Sequence, residues 1–192
     1  MTEPSDRVGV GVVGCGVIAY WVYLRLLSKM RDARLIVASD PSPAARARAE
    51  QVVKCPIVES ADSVLEHPVV DAVVICAPTE FHADLTIAAL ASGKHVFVEK
   101  PIAIDAESSE RVMTAVGRTD CIARVGFNRR RHPMFEQAKM LLADGAIGEV
   151  RAIQSAFCEP MVANEMSEWR RTRKRGGGVL LDLASHHFDL MR

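Results

Sequence analysis

Residues 7–19 read RVGVGVVGCGVIA. The run before Gly14 is valine broken only by glycine, without the polar alternation of a half-exposed strand. A parallel strand covered on both faces needs such a run. Gly14 and Gly16 follow at once, and Val17, Ile18 and Ala19 open a stretch with helical character. In a G-x-G-x-x-A turn between strand and helix, the first glycine permits the tight turn and the second lets backbone approach a ligand. The small third residue lets the helix lie close to the strand. The free N–H groups of the helix start then face an anion. Val8 to Leu24 carries no charge and approaches the length of a membrane span. Glu3 and Asp6 precede it, however, and its glycines suit a strand, a turn and a helix better than an anchor. No membrane association is expected.

The same logic extends outward. RLIVAS (34–39), DAVVICA (71–77), HVFVE (95–99) and CIARVGF (121–127) are short apolar runs of the same kind. Between them lie helical stretches with readable ends. Ser42 and Pro43 form an N-cap with proline at the first helical position, and Asp105 caps AESSERVMTAV before Gly117. A further helix runs from about Thr79 to Gly93. Repeated β-α-β units predict an α/β fold with a Rossmann-type, doubly wound parallel sheet. An acid at the end of the second strand, Asp40, is placed to accept hydrogen bonds from the ribose hydroxyls of an adenosine and to repel a 2′-phosphate. The expected cofactor is therefore NAD, with NADP less favoured. Arg46 and Arg48 fall on the following helix and read as solvated. The predicted cofactor set from this half is Gly14, Gly16, Val17, Ile18, Ala19 and Asp40. Pro78, Thr79 and His82 join it at the exit of the 71–77 strand, where sheet topology places ligands; His82 either contacts cofactor or caps its helix.

Lys plus Arg equals Asp plus Glu at 24 each, so no global field points to nucleic acid. The basic runs Arg129–Arg131 and Arg170–Arg175 lack interleaved aromatics beyond Trp169 and read as solvated faces. The cysteines, Cys15, Cys55, Cys76, Cys121 and Cys158, form no C-x-x-C pair. That argues against a metal site and against a secreted disulfide framework, so a cytoplasmic protein is expected.

After Asn128 the character changes. His132 to Ala143 reads as a helix left through Gly145 and Gly148, and Glu149 to Cys158 as a long strand. WRRTRKR, the glycines 176–178 and an unfinished helix follow. In that helix Asp182 and His186 share one face. The predicted division is a dinucleotide-binding domain over 1–128 and the incomplete start of an α/β substrate and oligomerisation domain over 129–192.

The stretch PTEFHADLTIAALASGKHVFVEKP (78–101), with the glycine turn, FNRRRHPMFEQAKMLLADGAIGEV (127–150) and GGGVLLD…H..D, resembles the glucose–fructose oxidoreductase/inositol dehydrogenase/MocA-like family of NAD(P)-dependent oxidoreductases. The resemblance runs from about Val8 to the end of the chain. It implies a cofactor domain followed by a domain with an open, largely antiparallel sheet, usually in a homo-oligomer when full length. It also implies that Lys100 lies beside the nicotinamide, with Glu99 and Asn128 in the cofactor set, and that Asp182 and His186 face it from the second domain. Ala184 stands where the family often has glycine, and most of the second domain's sheet is absent.

The implied reaction moves a hydride between the nicotinamide and a secondary alcohol or ketone of a sugar, cyclitol or related polyhydroxy substrate. A free lysine has a pKa of about 10.4 and is a poor base at neutrality, whereas a histidine titrates there unaided. His186 is therefore assigned as acid/base, Lys100 as the polarising or proton-relaying partner and Asp182 as orienter. The alternative is a truncated, non-catalytic NAD-binding module with a regulatory or partner-binding role, which the short length favours.

Overall fold

The computed structural model describes residues 7–157 and 168–192. It divides into two compact units, Met1–Val125 and Gly126–Arg192.

The first unit is built on a parallel six-stranded sheet in the order β3-β2-β1-β4-β5-β6. Its strands are β1 (Val8–Val13), β2 (Ala33–Ser39), β3 (Ile57–Val58), β4 (Ala72–Ile75), β5 (His95–Val98) and β6 (Ala123–Val125). β1 pairs in parallel with both β2 and β4. The chain thus winds outward in both directions from β1, and the crevice at the carboxyl ends of β1 and β4 is the topological switch point where such sheets hold ligands. Both faces are covered. Val10 and Val12 join Leu24, Leu27, Ala45 and Ala49 on one side. Val13 joins Val64, Val73, Ile75, Leu90 and Val96 on the other. That two-sided burial is why the strands read as unbroken valine and isoleucine runs.

The helices close where the sequence predicts. α2 (Pro43–Glu50) is capped by Ser42, whose side chain accepts the Ala45 N–H, and α5 (Ala106–Val116) by Asp105, whose side chain accepts the Ser108 N–H. A 3-10 turn (Thr79–Phe81) leads into α4 (His82–Ala91). After the glycine turn the helical run is not uniform: a π turn over Ala19–Tyr23 precedes α1 (Leu24–Leu27). Two further elements, β3 and α3 (Asp62–Leu65), were not among the expected ones. Each is too short to leave a periodic signal, and β3 exists only through its pairing with β2.

The second unit is helical among its described residues. A 3-10 turn (Asn128–Arg131) precedes α6 (Pro133–Ala143), with His132 as its N-cap rather than its first residue. α7 (Glu168–Arg171), a 3-10 turn (Arg173–Arg175), α8 (Val179–Asp182) and α9 (Ala184–Leu190) follow. The strand expected over Glu149–Cys158 does not form over residues 149–157, and Cys158 lies outside the described residues. A strand needs a neighbour for its ladder, and none stands among the described residues of this unit. The single helix expected to carry Asp182 and His186 is two helices meeting at Leu183. The His186 N–H reaches back only to the Leu183 carbonyl, so the ladder skips a bond between them. Among the described residues no helix is long and apolar enough to cross a membrane, and Val8 to Leu24 is strand, turn and helix.

Candidate active site

The glycine turn sits at the carboxyl end of β1. Gly14 has φ +92°, and a Cβ there would stand 2.6 Å from the Ala77 nitrogen, so the close approach of this turn to the β4 exit requires glycine. At Gly16 a Cβ would meet nothing within 4 Å. That open backbone is followed by exposed Val17 and Ile18 at the start of the helical run, while Ala19 is fully buried against the sheet. An exposed backbone at a helix start, with nothing occupying the space above it, fits a pyrophosphate.

Asp40 follows β2 and does more than its position alone predicts. One carboxylate oxygen accepts the Cys15 N–H at 2.8 Å and the other accepts the Ser42 N–H at 2.8 Å. The Gly14 N–H is donated to the Ser39 carbonyl at 2.8 Å. The turn is therefore stapled to the end of β2, and each Asp40 oxygen keeps a lone pair for a ribose hydroxyl. Arg46, expected to be solvated, donates to the carbonyls of Asp40 and Pro41 at 2.8 and 3.0 Å and fixes the backbone that carries the acid. Gly14, Gly16, Ala19 and Asp40 thus form one local constellation.

A second constellation lies at the exits of β4 and β5. Pro78 leads out of β4, and Thr79 is buried. His82 is 2% exposed, and its two ring nitrogens stand 2.7 Å from the Pro101 carbonyl and 2.8 Å from the Ala77 carbonyl. Both nitrogens are therefore spent inside the protein. The ring ties the turn after β5 to the exit of β4 and is not free to face a cofactor, nor does it act as a helix cap. Burial pushes its pKa down, against the opposing pull of the two carbonyls. Glu99 and Lys100 close β5, with the Lys100 N–H donated to the Glu99 carboxylate at 3.1 Å. The other Glu99 oxygen accepts the Tyr23 hydroxyl at 2.5 Å. Tyr23 was no part of the sequence expectation. The residue arrives there through the π turn, which no spacing rule announces.

Asn128, Asp182 and His186 belong to the 126–192 unit. Asn128 is exposed at the start of its 3-10 turn. Asp182 is 7% exposed and faces the Arg170 guanidinium, 3.4 Å away. His186 lies edge-on to Phe127, with ring centroids 6.2 Å apart. The glycines explain how Arg170 comes to Asp182. A Cβ on Gly177 would stand 2.3 Å from the carbonyl oxygens of both Trp169 and Arg170, and the Gly178 N–H is donated to the Arg170 carbonyl at 2.9 Å. Part of the basic stretch read as a solvated face is thus folded under the start of α8. Elsewhere in the unit Arg130 forks onto Asp189, with bonds of 2.7 and 2.9 Å from Nε.

Residues 8–127 match the GFO/IDH/MocA oxidoreductase family with its NAD-binding Rossmann fold, and residues 135–192 match the GFO/IDH/MocA C-terminal domain. An inositol 2-dehydrogenase of Rhizobium meliloti (strain 1021) is 36% identical over 185 residues, covering 96% of this chain and 54% of the relative. A scyllo-inositol 2-dehydrogenase (NAD(+)) of Bacillus subtilis (strain 168) is 33% identical over 192 residues, covering 98% of this chain and 54% of that protein. Among solved structures, apo scyllo-inositol dehydrogenase from Lactobacillus casei superposes with a TM-score of 0.81 at 28% identity, over 99% of this chain and 55% of the other. The chain spans about half the length of the curated relatives it matches. With its glycine turn, its switch-point acid and both matched segments, the chain belongs to the GFO/IDH/MocA family of oxidoreductases.

Proposed function

We propose that this chain supplies the cofactor domain, over 1–128, and the start of the substrate domain, over 129–192, of an NAD-dependent oxidoreductase. The enzyme interconverts a secondary alcohol and a ketone on a cyclitol, sugar or related polyhydroxy molecule. The observation that carries this is the glycine turn stapled by Asp40 at the switch point, with Lys100 following β5 at the same end of the sheet. The relatives' names support the substrate class, and NAD is preferred because the Asp40 carboxylate stands where a 2′-phosphate would meet negative charge.

The bound nicotinamide supplies a hydride acceptor or donor. The work of the chain is to bind, orient and move the proton. The backbone N–H groups that open the helical run after Cys15 would hold the pyrophosphate, and Asp40 would accept from the adenosine ribose. Lys100 polarises the substrate oxygen. In alcohol oxidation the His186 imidazole would take the substrate's hydroxyl proton, and in ketone reduction it would return it. Asp182 orients that assembly, with its own carboxylate held by Arg170.

Calorimetric titration of NAD⁺ and NADP⁺ into the chain tests the reading, together with NADH formation from a panel of inositols and sugars. Binding with NAD⁺ preferred, and a polyhydroxy alcohol oxidised, is the expected result. Absence of binding by a chain shown to be folded overturns it. In the form that turns over, Lys100→Ala and His186→Ala should each lower turnover about a hundredfold or more while cofactor affinity stays within about threefold.

A further inference from the structure

We infer that Tyr23 is a positioning residue for the nicotinamide half of the cofactor, acting through the Glu99 carboxylate; this rests on the nucleotide reading above. Glu99 follows β5 at the carboxyl end of the sheet, on the half opposite Asp40. In a doubly wound sheet each half serves one mononucleotide, so an acid on the β4–β5 side faces the nicotinamide nucleotide. Unrestrained, a glutamate there would populate many rotamers and lose that freedom on binding. Here both oxygens are committed in advance. Tyr23 donates to one at 2.5 Å, a bond assisted by the charge of its carboxylate acceptor, and the Lys100 backbone N–H is donated to the other at 3.1 Å. Each oxygen keeps a lone pair for the N–H donors of the nicotinamide carboxamide, the group that NAD⁺ has and ADP-ribose lacks.

The phenol is itself held. Its ring leans on Phe97 of β5, centroids 5.7 Å apart, and its backbone closes the π turn. Widening the helix by a residue at that point alters the phase in which Tyr23 leaves the helical run, relative to an unbroken α-helix. The obvious rival role for a tyrosine near a nicotinamide is proton transfer. Burial and the neighbouring carboxylate both push the phenol well above its usual range, so it remains a donor at working pH and serves as a fixed strut. Lys100 shares the arrangement, because the carboxylate that Tyr23 anchors also grips the peptide on which that lysine sits.

The test compares two ligands that share the adenosine and pyrophosphate but differ in the nicotinamide. ADP-ribose and NAD⁺ are titrated into the wild-type chain, Tyr23→Phe, Glu99→Ala and the double variant. Tyr23→Phe keeps the ring against Phe97 and removes only the hydroxyl. NAD⁺ affinity is expected to fall about tenfold in Tyr23→Phe, with ADP-ribose affinity within about twofold of wild type. In the Glu99→Ala background, adding Tyr23→Phe should change NAD⁺ affinity by less than about twofold, because the phenol then has nothing to hold. Unchanged NAD⁺ affinity in Tyr23→Phe overturns the inference. So does a parallel loss of both ligands, which marks a merely structural role, or an undiminished effect of Tyr23→Phe on top of Glu99→Ala. Failure of the wild-type chain to bind ADP-ribose overturns the nucleotide reading itself, and this inference with it.

Discussion

The Asp40 carboxylate receives the backbone N–H of Cys15, 25 residues earlier in the chain, at 2.8 Å. One acid therefore fixes the glycine turn, and on the proposed reading it also meets the adenosine ribose. Asp40→Ala should consequently cost more NAD⁺ affinity than a lost ribose contact alone. The expected loss is at least about tenfold, with a relative gain for NADP⁺ and a lowered Tm in the absence of any ligand. Calorimetry and a thermal melt without cofactor check both halves; an unchanged Tm would limit Asp40 to ligand binding.

His82 bridges the Ala77 and Pro101 carbonyls from a site 2% exposed. The neutral imidazole has one N–H to donate, so replacing it by leucine strands one buried carbonyl, and urea denaturation should register a loss of about 1–3 kcal/mol. The pH dependence has a definite sign. Burial lowers the pKa of His82 in the folded chain below its ordinary value of 6.5. The unfolded chain then binds more protons between the two values. The stability contributed by His82 is complete above 6.5, falls as the pH drops through 6.5, and levels off below the folded pKa. Unfolding at about pH 7.5 and about pH 5.5 should show that fall, reduced in His82→Leu.

Cys15 lies inside the glycine turn, yet it is no reactive thiol. Burial first, and the charge of Asp40 second, push its pKa up to about 12. Burial likewise drives Cys76 upward. Alkylation at about pH 8 should therefore proceed at Cys15 about a thousandfold more slowly in the native chain than in the unfolded one, and Cys76 should also be slowed. Mass spectrometry of the native chain after a short exposure to iodoacetamide reads this directly. Early labelling of Cys15 would mean that the turn opens.

Gly177 is pressed against the backbone of the preceding helix. A methyl there would sit 2.3 Å from the carbonyl oxygens of Trp169 and Arg170. Gly177→Ala should force those segments apart, costing more than about 2 kcal/mol and releasing Arg170 from Asp182. Hydrogen exchange over 168–185 should rise in this variant while exchange over 7–125 stays as in wild type.

How much was legible in advance differs between the two halves. In the first, burial on both faces of a parallel sheet imposes a composition on each strand that can be read without the fold, and Ser42 and Asp105 act on backbone a few residues away. Asp40 was found by its place after the second strand. Its hold on Cys15 was not found, because that bond joins segments whose separation carries no pattern. Tyr23 escaped for a similar reason: a π turn leaves the same composition as an α turn while changing where each side chain points. In the second half a local rule misled. Glu149 to Phe157 has the apolar content of a strand, but a strand is a pairing between segments, and no neighbour stands among the described residues.

The sequence by itself determined the α/β class, the parallel sheet, the glycine turn and the identity of the acid beside it, because each depends on periodicity or on contacts within a few residues. The tertiary structure alone decided what those residues do to one another. It assigned Asp40 a second role, used up both nitrogens of His82, gave Glu99 its partner in Tyr23, and broke the helix between Asp182 and His186. Hydrogen bonds and close packing between distant segments depend on distances of tenths of an ångström, and no spacing along the chain records them.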